Sequence, residues 1–411
     1  MLKSSIYKFF GTSIIVTMPL FFLSIATPFG GLTLDRFFLF STFLLMIVFG
    51  FGIKVQKNLI SFSLVVFVVY VTINRLLSID ELNPKFFMLI CSVLSFYIPF
   101  KFSKSGVNLE KAINLSFIIF GVIGIYSIWH FLTNGYIPSR FDFLDSISFI
   151  RTVNYEHMES VNQSYIFPRN ALPYPTPPQL SIVMASYSFY FFSLYTSHPL
   201  KKYLIFFIVG VFIMLTTISR SGILPLLLVL FLYYSVVNKS NFFLRYFKII
   251  LLVFILILCL KYFNQDLYDL LNYRLIGSSG DSSNQEHLGA RLASIYYFLD
   301  GSLLDMLFGI GIGNFPHLHA HMTILTFLIE IGIVGTFIFL FIFLQRFWVT
   351  VKVYRKYRYN ASNHLNEFMM LLLVFVGMLL YEFTYILPLY MLMGVSCGKS
   401  FIELKKLKFN K

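Results

Sequence analysis

Two histidines, His319 and His321, stand at the mouth of a long apolar run, directly after a turn built from Gly309, Gly311 and Gly313. Imidazole titrates near neutral pH, so a neutral histidine at a membrane mouth suits general-base work. The plainer reading is an interfacial histidine with its hydrogen bonds satisfied. On a helix, positions two apart face different directions, so the pair cannot serve one site equally. His317 is a third, but no carboxylate or cysteine at ligand spacing completes a metal site. Glu330 lies further along the same run. An ionisable group at that depth is costly and is retained for a site or a partner, and its depth favours a structural partner over a catalytic group. The glycine run lacks the spacing and the strand-helix context of a dinucleotide motif, so it reads as a tight turn returning the chain to the membrane.

Arginines supply a second kind of chemistry. Arg220 sits among Ser219, Ser221 and Gly222, between two apolar runs. A guanidinium there offers a planar fork to phosphate or carboxylate, while the small neighbours allow a tight turn. An anchor snorkelling to lipid headgroups fits the same position equally well. Arg291 opens an amphipathic stretch in which Leu288, Leu292, Ile295 and Leu299 share one face; taken alone, it is better read as a solvated face. Arg151 and Arg169 carry the same ambiguity, Arg169 being held between Pro168 and a proline-rich descent. Glu382, flanked by Tyr381 and Tyr385, lies at a hairpin apex within reach of the same region.

The elements that must position these groups are apolar helices. The chain is 58% hydrophobic and 12% charged, with a mean hydropathy of +0.78. A soluble domain is about one quarter charged, so this is an all-α integral membrane protein. Its runs of apolar residues, bounded by charge or by Pro and Gly, give about twelve spans for a ~30 Å bilayer core. They lie at 9–27, 36–53, 59–77, 85–100, 112–132, 179–196, 203–218, 222–238, 246–263, 321–345, 366–383 and 386–402. Residues 1–411 then form a single polytopic domain. Most of the 32 Lys and Arg fall in the segments that are cytoplasmic when both termini are inside, as the positive-inside rule requires. The net charge of +14 thus reflects topology and contact with anionic lipid rather than nucleic-acid binding. Two long segments, 133–178 and 264–320, become external loops, and loops of that length carry function. The second is expected to hold a short helix lying on the membrane and covering the site. Cys91, Cys259 and Cys397 all fall within apolar runs, so no loop disulfide is expected.

In this order and spacing, Thr217 to Gly222, Arg291, Gly309 to Phe315, and His321 with Leu325, Glu330, Gly332 and Gly335 resemble the motifs of the O-antigen polymerase and O-antigen ligase superfamily. The likeness covers 217–335; Met322 departs from the Asn or Ser usual beside the histidine. The resemblance implies a GT-C-like fold in the bacterial inner membrane, with two large periplasmic loops, and a metal-independent glycosyltransferase without cofactor. Its substrate would be an undecaprenyl-diphosphate-linked oligosaccharide. It further implies that Arg220 and Arg291 stabilise the diphosphate and that His321 activates the acceptor hydroxyl or holds the diphosphate. Arg151, Arg169, His319, Tyr165 and Glu382 would contribute to substrate binding, and Tyr155, Phe167 and Tyr174 could stack on sugars. Membrane lipids, a flippase and a chain-length regulator are the implied partners. A polymerase is expected ahead of a ligase that transfers glycan to lipid A core. A lipid-linked oligosaccharide flippase stands well behind, because it predicts inverted repeats and charged or broken helices near mid-membrane.

Overall fold

The computed structural model describes residues 2–20, 23–27, 30–48, 59–78, 84–134, 150–152, 170, 172–174, 176–237, 282–315, 322–357 and 362–409. Its helices run as α1 (Leu2–Thr17), α2 (Leu34–Val48), α3 (Leu59–Leu77), α4 (Pro84–Lys104), α5 (Glu110–Asn134), α6 (Pro177–Ser197) and α7 (Lys201–Thr216). They continue as α8 (Arg220–Val237), α9 (Ser282–Leu299), α10 (Leu303–Phe308), α11 (Thr323–Tyr357), α12 (Ser362–Leu380) and α13 (Leu387–Phe409). Among the described residues, 6 helices are long and apolar enough to cross a membrane: α3, α4, α5, α8, α11 and α12. The apolar runs at 203–238 and 366–402 do divide into hairpins, with breaks at 217–219 and 381–386. The run expected at 246–263 lies outside the described residues.

One departure concerns the first span, expected over 9–27. Helix α1 and a following 3-10 turn end at Leu20, and Leu23–Thr27 is β1 of a small antiparallel sheet. It pairs with β2 (Gly30–Thr33) and with β3 (Ile150–Thr152), in the order β2-β1-β3. The stretch after Leu20 holds Ile25 and Thr27, which favour a strand, and is bounded by Pro28 and by Gly30 and Gly31, which read as hairpin punctuation once the hydropathy is set aside.

The bundle is held by close backbone approaches at small residues, the way helices associate when lipid removes the hydrophobic drive. Along the α4–α13 contact, Ser92 donates to Thr384 O at 2.9 Å, Ser95 to Leu387 O at 3.3 Å and Ser103 to Val395 O at 3.2 Å. Gly394 lies against the backbone of Phe96 and Phe100, and Gly398 against the Ser103 side chain and the Phe100 carbonyl, leaving no room for a Cβ. Helix α6 is buried along most of its length, with Tyr187 bonded to Ser116 at 2.7 Å. By contrast Val65, Val69, Ile73 and Leu76 of α3 point outward, at 45% to 74% exposure, as a lipid-facing stripe would. At one end of the bundle, Arg346 of α11 makes two bonds of 2.5 Å to Glu367 of α12 and one of 3.1 Å to Ser400 of α13.

Candidate functional site

At the other end of the bundle, the α7–α8 turn is shaped by its small residues. Ile218 takes a positive φ of 46°, which turns the chain sharply. Ser219 and Ser221 share a hydrogen bond at 2.9 Å, Ser221 donates to Pro178 O at 3.1 Å, and Ser181 donates to Ser219 O at 3.3 Å. A side chain at Gly222 would collide with the backbone carbonyl of Ser181. The turn is thereby clamped to the start of α6, and Arg220 is presented, half-buried, as the first residue of α8. A helix start carries unpaired N–H groups and partial positive charge, so arginine and helix end together favour an anion.

Helix α9 forms where the amphipathic pattern places a helix, and it carries Arg291 inward. The Arg291 guanidinium donates to Leu380 O at 2.8 Å, satisfying a carbonyl that the end of α12 leaves open. Burial, and then the nearby charge of Arg220, push the Arg291 pKa below its ordinary value. The two guanidinium groups are thus near enough for one charge to act on the other, and a bound dianion would offset that repulsion.

The glycine-rich turn is locked into a break in α11. Gly332 has φ 69° and ψ −178°, which interrupts the helical ladder. The carbonyls freed by the break are taken up by the turn: Ile310 N–H donates to Ile329 O at 3.0 Å and Gly311 N–H to Glu330 O at 3.0 Å. The Tyr70 hydroxyl donates to Ile331 O at 2.8 Å. Gly309, Gly311 and Gly313 all have positive φ, between 84° and 96°, a region that glycine enters without steric cost. The Glu330 carboxylate, 1% exposed, accepts from Gly313 N–H at 3.1 Å and lies 3.7 Å from Lys85 Nζ. From α3, Asn74 donates to Phe308 O at 2.6 Å, and Arg75 donates to Ile312 O at 3.3 Å and to the Asn314 side chain at 3.0 Å. Phe315 is buried against Leu325, Ile329 and the ring of Tyr297, which joins turn, α9 and α11.

The mouth of α11 is stitched to the α12–α13 apex. Thr323 donates through its hydroxyl to Tyr381 O at 3.2 Å and accepts from Phe383 N–H at 2.7 Å. That apex carries Glu382, close enough to Tyr385 for its charge to help raise the phenol pKa well above its ordinary value, behind burial as the main cause.

Of the residues singled out from the sequence, Arg220, Arg291 and Glu382 gather at this end of the bundle. His319, His321, Arg169 and Tyr165 lie outside the described residues, as do Tyr155 and Phe167. Arg151 is in β3, in register with Ser24. Tyr174, expected to offer a face to sugar, is instead 4% exposed and stacked on Phe120 at 5.9 Å between centroids; it is core. Its neighbour Asn170 pins the descent by donating to Gly124 O and to Thr216. Tyr70, Asn74, Arg75, Lys85 and Thr323 escaped the sequence reading. Asn74 and Arg75 are polar groups at the end of an apolar run, and that was the available signal. No family model matches the chain, and no curated protein matches it.

Proposed function

We propose that the chain is a polymerase of O-antigen or a related surface polysaccharide, acting on undecaprenyl-diphosphate-linked glycan. The observation that supports this is that Arg220 and Arg291 lie near enough for their charges to interact, at the end of the bundle where the glycine-rich turn docks into α11. In this reading the acceptor hydroxyl of a lipid-linked repeat unit attacks the anomeric carbon of the growing glycan. The bond from that carbon to the diphosphate oxygen breaks, and undecaprenyl diphosphate leaves with its bonding electrons. The two arginines stabilise the charge that develops on the diphosphate, which is the usual source of the largest catalytic term. His321 takes the hydroxyl proton or holds the diphosphate. Glu382, Arg151, Arg169, His319 and Tyr165 contribute to binding, and the arginines supply the charge that a metal would otherwise bring.

The proposal includes about twelve spans in a GT-C-like arrangement, both termini cytoplasmic and the arginines at the periplasmic face of the inner membrane. A flippase delivering substrate and a chain-length regulator are the expected partners. Deleting the gene in its host tests the reading. A polymerase deletion leaves single capped repeat units on the lipopolysaccharide, whereas bare core would identify a ligase.

A flippase is the second reading, and the break at Gly332 is the observation in its favour, since transporters build sites from interrupted helices. Here, though, the carbonyls of residues 329–331 are bonded to Ile310, Gly311 and Tyr70, leaving them engaged rather than lining a passage.

A further inference from the structure

A cavity of about 530 Å³ opens at the end of the bundle opposite Arg220 and Arg291, between the ends of α4, α5, α6, α12 and α13. Its walls include Glu110, Tyr190, Asn363, Asn366, Lys399 and Glu403. The two carboxylates are committed to the protein. Glu110 accepts from the Tyr203 hydroxyl and from Lys202 at 3.4 Å. Glu403 accepts at 3.2 Å from Asn363 N–H, from the Asn363 side chain and from His364 N–H, capping the start of α12. Lys399 is held differently. Its ammonium donates to the neutral Tyr190 hydroxyl at 3.0 Å and lies 4.8 Å over that ring. A compact ammonium on a neutral partner keeps two donor positions for an anion. The charges around it are mixed: Glu110 is near enough for its charge to interact with that of Lys399, Lys202 is paired with Glu110, and Lys405, further along α13, is exposed. Part of the lining is apolar, through Val107, Leu109 and Ile402.

We propose that this cavity is a binding site for a phosphate group, that of an anionic lipid headgroup or of a free phosphate anion, with Lys399 as its main ligand and the side-chain amide of Asn366 beside it. The site is separate from the proposed transferase centre, and its failure or success leaves that reading untouched. A phosphate oxygen there takes a charge-assisted hydrogen bond from Lys399, the strong kind. The apolar wall admits the glycerol and first methylenes of a lipid.

The test uses the full chain purified in detergent and examined by native mass spectrometry with phosphatidylglycerol or phosphatidylcholine, alongside thermal stability with inorganic phosphate. Retention of one phosphatidylglycerol in preference to phosphatidylcholine is expected. Lys399→Gln should lower that retention by about tenfold, the scale of one charge-assisted bond. Lys399→Arg should restore most of it, and Lys201→Gln, outside the lining, should leave it unchanged. If inorganic phosphate alone stabilises the delipidated protein with the same dependence on Lys399, the ligand is the free anion; if only the lipid does, it is the headgroup. Lipid and phosphate effects that are both indifferent to Lys399→Gln in a normally folded variant would overturn the site.

Discussion

Gly309 and Gly332 lie back to back: a Cβ on either would collide with the other's backbone nitrogen, so neither has space for one. Both also have positive φ, 84° and 69°. This contact is what joins the glycine-rich turn to the break in α11. It explains why glycines recur at both places: the turn supplies N–H groups to carbonyls that the broken helix no longer satisfies, and only bare backbone approaches closely enough.

Gly309→Ala and Gly332→Ala should therefore each cost more than about 2 kcal/mol, combining left-handed strain with overpacking. Gly121→Ala is the control, since a Cβ there meets nothing within 4 Å and alanine favours a helix. Melting temperatures in detergent give the comparison. Gly332→Ala as stable as Gly121→Ala would mean that the break is not built on this contact.

At the opposite end, Arg346 and Glu367 form a buried bidentate pair at 2.5 Å. Removing one partner strands a charge, so Arg346→Leu or Glu367→Leu should each destabilise by about 3–5 kcal/mol. The double leucine substitution removes both charges and should recover much of that loss. A double variant that is worse than either single would show that the pair contributes more attraction than its desolvation costs.

Much of this fold was legible because lipid imposes a strict rule: each apolar run must satisfy its backbone internally. Runs bounded by Lys, Pro or Gly thus coincide with α3 to α8 and α11 to α13 to within a few residues at most starts, although α11 and α13 continue past their expected ends. The same hydropathy misled at Leu23–Thr27, where apolar composition is shared by a span and a strand and only the pairing with residues 150–152 decides. The Arg220 turn was visible as small residues around one charge. The bond from Arg291 to Leu380 O was not, because no local pattern reports a contact between residues so distant in sequence. Tyr174 shows the converse: an aromatic in a polar loop reads as a ligand platform until its packing on Phe120 is known.

The proposed topology predicts which cysteine replacements an impermeant reagent can modify in intact cells. Positions within 140–175 and 265–315 should label from outside, and 346–362 should not. Protection of 265–315 would place Arg291 on the wrong side for periplasmic substrate and remove the proposed centre.

Arg220 distinguishes an anion ligand from a membrane anchor. Arg220→Lys keeps the charge but loses the planar fork, so polymer length should fall sharply at normal protein level in the membrane, read from the lipopolysaccharide ladder. Full-length polymer from the lysine variant would leave Arg220 as an anchor alone.

Arg291 and His321 should behave as one unit with Arg220. Arg291 is already fixed by Leu380 O at 2.8 Å and repelled by Arg220, so its guanidinium is positioned before substrate arrives and is not recruited by it. Each of Arg291→Ala and His321→Ala should abolish chain extension while leaving the protein in the membrane. The double substitution should be no worse than either single, because groups that act in one transition state are strongly non-additive. His319→Ala should matter less, since the two positions face different ways if the segment is helical. An active His321→Ala with an inactive His319→Ala would move the base to His319. Full activity in both would take histidine out of the mechanism and leave the arginines to act on the diphosphate alone.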